Sequence, residues 1–155
     1  MQKVYLRPLE EKDLPLLLAW AHIKEIWEYL PTSREEEDLT WERHLDWWKS
    51  REERVDWIIM VKTDGYGFRP VGVAHVNLKG VELGIYIGEI TLWNKGVAEV
   101  ALLQAIGILR SKGYSKFCAL VHSDNERSRR LFEGIGFKKV GKGRRDQDWY
   151  ECSFS

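Results

Sequence analysis

Two stretches carry residues whose types and spacing suit chemistry. The first is GIYIGEITLWNKGVAEVALLQAIGILRSKG, from Gly84 to Gly113. It reads as a strand end, a short loop and a helix opened by Gly96. The first turn of a helix presents backbone N–H groups with no helical partner, beside the positive end of the helix dipole. Such a terminus holds phosphate. Gly96 and the small Ala98 let a ligand approach the backbone, and Lys95 adds a charge. Gly96, Ala98 and Lys95 therefore suit a phosphate; a plain turn glycine is the alternative reading. The second stretch is SDNERSRRLFEGIGF, from Ser123 to Phe137. Asn125 follows a strand, Ser128 comes one turn later, and Gly136 stops the helix. A capped helix with a glycine stop explains Asn125 and Gly136 without a ligand. It does not explain why the two stretches occur together in this order.

The elements that must position these residues are legible in outline. Val4–Pro8 reads as a first strand, and Asp13 as the cap of a helix through LPLLLAWAH. Lys24–Leu30 reads as a short helix ended by Pro31. Thr40 caps a further helix in which Leu45 and Trp48 share a face. Val55–Lys62, Val71–Leu78 and Val81–Gly88 read as strands, with a turn at Thr63–Pro70 and a tight join at Lys79–Gly80. Val100, Leu103, Ile106 and Leu109 recur at helical spacing up to the stop at Gly113. Phe117–Val121, Phe137–Val140 and Trp149–Phe154 complete the strands. The predicted order is β-α-α-β-β-β-α-β-α-β-β, a single α/β domain over 1–155 with a mixed sheet.

Composition narrows the classes further. The chain has 155 residues, with 24 Lys plus Arg against 24 Asp plus Glu, so its formal charge is zero. That balance gives no footprint of a nucleic-acid binder. No apolar run is long enough for a membrane span, and the N-terminus lacks the apolar core of a secretory signal. Cys118 and Cys152 sit in apolar strand-like stretches without metal-ligand spacing, which reads as reduced packing residues. These features predict a cytoplasmic protein without a metal. Five of the eight tryptophans (Trp20, Trp27, Trp41, Trp47 and Trp48) fall in the first third, which suggests an aromatic wall.

Together the two stretches resemble the signatures of the GNAT superfamily of acyl-coenzyme A-dependent N-acetyltransferases. The first signature, R/Q-x-x-G-x-G/A, reads Trp93-Asn94-Lys95-Gly96-Val97-Ala98, with Trp93 in place of Arg or Gln. The second, N-x-x-S-x-x-L-Y-x-x-x-G-F, reads Asn125, Ser128, Leu131, Phe132, Gly136 and Phe137, with Phe132 in place of Tyr. The resemblance extends over the chain. LRPLEEKDLPLLLAW is similar to the opening of ribosomal-protein alanine acetyltransferases. Thr40–Trp48 and GIYIGE…LWNKG are similar to amino-sugar acetyltransferases of the pseudaminic-acid type.

The resemblance implies transfer of an acetyl group from acetyl-CoA to a primary amine on an amino sugar, another small molecule or a protein N-terminus. It implies that backbone groups at Ile87, Gly88 and Glu89 hold the pantetheine arm, and that an N–H near Ile87 stabilises the oxyanion. Asn94 to Ala98 would take the pyrophosphate, Asn125 would hydrogen-bond the arm near its thioester end, Ser128 and Arg129 would border the site, and Phe132 would contact the cofactor. Glu82, placed like the base of the histone-acetyltransferase branch, would deprotonate the amine, with Tyr86 on the same strand face relaying the proton. His122 and Glu89 are lesser candidates for that base. Trp47, Trp48 and His44 would face the acceptor. Phe132 cannot protonate the departing thiolate, so Tyr150, Tyr86 or water would. The branch often forms homodimers. Two other readings stay open: a coenzyme-binding module without catalysis, suggested by Phe132, and an α/β interaction domain whose aromatic wall serves a protein partner.

Overall fold

The computed structural model describes residues 3–28, 40–63, 65 and 67–154. Among these residues, seven strands form one mixed sheet in the order β1-β2-β3-β4-β5-β7-β6. They are β1 (Val4–Pro8), β2 (Arg54–Thr63), β3 (Gly67–Asn77), β4 (Glu82–Ile87), β5 (Lys116–His122), β6 (Lys138–Lys142) and β7 (Gln147–Ser153). The helices are α1 (Leu14–Ala21), α2 (Lys24–Trp27), α3 (Trp41–Lys49), α4 (Val97–Ser111) and α5 (Glu126–Ile135). The mixed α/β class and the succession of strands along the chain hold, with three helices instead of two between β1 and β2. The helix stop expected at Pro31 and the side chain of Trp27 lie outside the described residues.

The sheet separates two apolar layers because strand side chains alternate between its faces. Trp57, Ile59, Val61, Ala74, Val76 and Leu83 meet α4 and α5 on one face. Ile58, Met60 and Val73 meet Leu14, Leu17 and Trp20 on the other. Helix α4 presents Ala101, Leu102, Ala105, Ile106 and Leu109 to the sheet, all buried. That spacing is one helical stripe. Each of its larger side chains contributes roughly 1.5–3 kcal/mol by leaving water.

Two local expectations change. Asp13 does not cap α1; it closes the preceding 3-10 turn by accepting from the Glu10 N–H at 2.9 Å. Arg7 holds the same carboxylate through two bonds of 2.8 and 2.9 Å, which draws that side chain into the turn and away from the α1 amides. The Asp13 carboxyl is pushed up by burial, but Arg7 and the Glu10 N–H outweigh that and lower its pKa. Strand β3 also begins earlier than expected, at Gly67. Phe68 packs edge-on against Tyr5 at 4.7 Å, and Pro70 sits opposite Met60 where the β2–β3 register shifts. A bulge accommodates a residue that cannot donate to the ladder.

Candidate functional site

All neighbouring strands run antiparallel except β4 and β5, which run parallel and pair at Glu82–Cys118. The Cys118 N–H donates to Val81 O at 3.1 Å. Beyond that point the strands separate. Leu83–Ile87 and Leu120–His122 then line a continuous cleft of about 730 Å³ that passes between the α4 and α5 N-termini and under α1–α3.

Which β4 groups face this gap follows from the ladder. The Gly88 N–H donates to Val71 O at 2.7 Å, so Gly88 and Val71 form a hydrogen-bonded pair. Such pairs alternate with pairs whose backbone groups point away from the partner strand. Ile87 and Ile85, opposite Gly72 and Ala74, therefore turn N–H and C=O toward the gap. The amides of Gly88 and Glu89 are both engaged by Val71 O, and neither residue lines the cleft. Gly88 serves packing instead: a Cβ there would collide with the Trp20 ring.

The loop from β4 to α4 is pinned by a residue whose role the sequence did not disclose. Trp93 Nε1 donates to Ile87 O at 2.8 Å, and the Arg127 guanidinium lies 3.4 Å from the centroid of its ring. Trp93 thus takes the Ile87 carbonyl and leaves the Ile87 N–H facing the gap. Asn94 (φ 63°) and Gly96 (φ 81°) are both left-handed, which turns the chain sharply into α4. The helical ladder starts with Val100 N–H to Gly96 O at 3.1 Å, so the amides of Val97, Ala98 and Glu99 lack a helical partner. Asn94, Gly96, Val97 and Ala98 line the cleft. Lys95 lies on an adjoining hollow of about 280 Å³.

Across the cleft, Asn125 Oδ1 accepts from the Ser128 N–H at 3.2 Å, and its Nδ2 donates to Ser128 Oγ at 3.0 Å. The capping reading of Asn125 is therefore realised, with both residues on the cleft wall. Phe132 is 3% exposed, lines the cleft and packs edge-on against Phe137. Tyr150 is buried in the core away from the cleft; its hydroxyl pKa is raised by burial.

Under α1–α3, Tyr86, Trp47 and the buried His44 line the cleft, and Trp20 packs edge-on against Tyr86 at 6.2 Å. Trp48 is set behind, its ring 3.9 Å from the Arg51 guanidinium. Glu82 does not line the cleft; its carboxylate accepts from Arg144 Nη2 at 3.0 and 3.3 Å. His122 lines the cleft, and its Nδ1 accepts from the Asp124 N–H at 3.1 Å. Burial, with Glu82 close by, pushes the Cys118 thiol up to about 11, so it carries no thiolate at neutral pH.

Sequence reasoning missed three wall residues, Arg54, Asp56 and His75. The Asp56 side chain is 0% exposed and is held by Arg51 at 2.7 Å and Arg54 at 3.0 Å. Its register partner is His75, whose own partner is Gly84. The His75 Nδ1 is buried without a hydrogen bond among the described residues. The signal was present: VDWII and VAHV each place one polar residue inside an apolar strand.

Burial and the Arg54 charge lower the His75 pKa to about 4, against the pull of Asp56. An unfolded histidine takes its proton near pH 6.5. Between those values the unfolded chain binds the proton and the folded chain does not, so stability falls as pH drops through this window. The wild type should lose about 2 kcal/mol between pH 7 and 4.5 that His75→Gln retains. Urea midpoints at the two pH values measure it, and equal losses would refute it.

Among the described residues, no helix is long and apolar enough to cross a membrane, and no group of three or more His, Cys, Asp or Glu could hold a metal. The chain is 39% identical over 154 residues to an uncharacterized protein of Methanocaldococcus jannaschii, covering 97% of this chain and 31% of that protein. It thus spans about a third of the curated relative it matches. The crystal structure of a domain from Methanocaldococcus jannaschii superposes with a TM-score of 0.92 at 38% identity, covering 99% of this chain and 100% of that one. The aminoglycoside acetyltransferase AAC(6')-Ib, in complex with coenzyme A, shares the fold with a TM-score of 0.74 at 20% identity, covering 97% and 95%. Residues 3–138 match the family model of the acetyltransferase (GNAT) domain, and with the split between β4 and β5 already in view, the chain belongs to that family.

Proposed function

We infer that the chain moves an acetyl group from acetyl-CoA to a primary amine. The observation that carries this reading is the divergence of β4 from β5, with the Ile85 and Ile87 backbone facing the gap and unpaired α4 amides at its mouth. An extended pantetheine arm, rich in amides, suits an unpaired strand edge. A pyrophosphate suits the amides of Val97, Ala98 and Glu99 beside the left-handed Gly96. Solved relatives of the same fold, such as the aminoglycoside enzyme, hold coenzyme A, which supports the choice of donor. Free cysteines at Cys118 and Cys152 suit the cytoplasm, where such a thioester is available.

In this reading the Ile87 N–H donates to the oxygen of the tetrahedral adduct, where negative charge develops. Trp93 supports that role by occupying the Ile87 carbonyl and fixing the strand end. The amine enters from the side of Trp47, His44 and Tyr86 and must shed a proton before attack, since an alkyl ammonium has a pKa of about 10. Amino sugars, other small amines and protein N-termini all fit this description. Phe132 favours a second reading, a coenzyme-binding module without turnover, because that side chain cannot protonate a thiolate.

Millimolar acetyl-CoA should raise the unfolding midpoint, by the equivalent of about 2.7 kcal/mol at a hundredfold excess over Kd. Free-thiol release with spermidine, kanamycin, glucosamine and an alanine-initiated peptide then separates the readings. Stabilisation with release supports transfer, and stabilisation without release leaves a binding module. An unmoved midpoint removes both.

A further inference from the structure

Asp56 of β2, His75 of β3 and Gly84 of β4 lie in register across the sheet, on the face that carries the acceptor side of the cleft. Gly84 is the residue that lets the imidazole lie over β4. A Cβ at Gly84 would collide with Cε1 and Nε2 of His75. The ring therefore reaches over the strand next to Ile85, whose backbone faces the gap. Its Nδ1 edge is buried and unbonded, while the residue as a whole is only partly buried and lines the cleft.

The geometry points to His75 as the proton carrier of the reaction, its Nε2 edge taking a proton from the attacking nitrogen and passing it to the departing sulfur. The inference rests on the acetyltransferase reading. The ammonium first gives up its proton to solvent; as the resulting neutral amine attacks the thioester carbon, a C–N bond forms and the nitrogen becomes a protonated adduct. His75 Nε2 accepts that proton. The C–S bond then breaks with its electron pair on sulfur, and His75 returns the proton to the thiolate. Amine plus thioester give amide plus thiol, and the imidazole ends neutral. One residue thereby takes the adduct's proton and supplies the acid that Phe132 cannot.

The surroundings suit a carrier that does not keep its proton. Arg54 and Asp56 of β2 adjoin His75, and His44 of α3 and Glu25 of α2 line the same cleft. Burial and the Arg54 charge disfavour the imidazolium, and Asp56 opposes them. The protonated ring is accordingly a stronger acid than a thiol of pKa about 8.5. Glu82, held by Arg144, is not required.

The test uses the wild type, His75→Ala, His75→Gln and Gly84→Ala with whichever of spermidine, kanamycin, glucosamine or the alanine-initiated peptide turns over fastest. His75→Ala and His75→Gln should each lower kcat about a hundredfold, the low end for a lost acid–base group. Coenzyme A affinity should hold within about twofold, since no coenzyme-side residue changes. Added imidazole should restore activity to His75→Ala and not to His75→Gln, where the space stays filled. Gly84→Ala should show the same deficit by displacing the ring, with no further loss in the double variant. The His75 Cε1–H NMR resonance, assigned by its absence in His75→Gln, should shift when that amine is added to coenzyme-saturated wild type. An active, unrescued His75→Ala or an unmoved resonance overturns the role of His75 alone. Absence of turnover by the wild type with every amine removes the acetyltransferase reading and this inference with it.

Discussion

Asp56→Ala should lower the unfolding free energy by about 3 kcal/mol, among the largest losses from any single side chain here. Asp56 is fully buried, and its oxygens accept from Arg51 Nη1 at 2.7 Å and Arg54 Nε at 3.0 Å. Both guanidinium side chains are themselves mostly covered, at 20% and 27% exposure. Removing the carboxylate leaves two adjacent, poorly hydrated positive charges with no counter-ion. The cost is that of the stranded charges, not the value of the bonds, so deleting an arginine together with Asp56 should cost less than the sum of the single changes. For a chain of this length the loss corresponds to roughly 6–12 °C in Tm. The function should suffer locally too. Arg51 stacks on Trp48 and Arg54 lies 5.2 Å from the Trp47 ring, so freed arginines loosen the aromatic wall. KM for the amine should rise while coenzyme affinity holds. Urea unfolding of the single and double variants decides the matter, and a loss below about 1 kcal/mol would show that the pair is screened like a surface bridge.

Asp56 also shows how far sequence reading reaches. Periodicity located all seven described strands and both long helices, because apolar alternation and apolar stripes are local signals that survive folding. The Thr40 cap, which accepts from the Arg43 N–H at 3.3 Å, and the Asn125 cap were legible for the same reason. The glycine-opened helix was equally visible in Gly96. Positions set by contacts distant in sequence were not. Glu82 and Arg144 are 62 residues apart, so nothing near Glu82 disclosed that its carboxylate faces a cation outside the cleft. Gly84 looked like any strand glycine until its register partner proved to be His75. Trp93 appeared as a mismatch to a motif, whereas its indole N–H closes the loop onto Ile87. In each case cross-strand pairing or a loop closure carries the information, and neither has a local signature.

The remaining large effect concerns Gly96, where Asp should weaken coenzyme A binding about a thousandfold, roughly 4 kcal/mol, with little change in stability. The amides of Val97, Ala98 and Glu99 have no helical partner, and a charged acceptor gains about 1.5–3 kcal/mol from each such donor. An aspartate at this position sets a carboxylate beside the positive end of α4. It therefore fills the site and repels a pyrophosphate at once. The fold tolerates the change because two effects partly offset. The left-handed conformation of Gly96, φ 81°, costs a side chain about 1–2 kcal/mol. Its charge at the positive end of α4 returns part of that, roughly 0.3–1 kcal/mol. A Cβ at Gly96 meets nothing within 4 Å, so no clash tips the balance. Gly96→Ala is the control: it carries the same backbone strain without the carboxylate, and should bind coenzyme A more weakly than wild type by about tenfold or less. Calorimetric titration with coenzyme A beside thermal unfolding separates binding from folding. If Gly96→Asp bound as tightly as Gly96→Ala, the pyrophosphate would not sit on these amides, and the donor would have to enter the cleft another way.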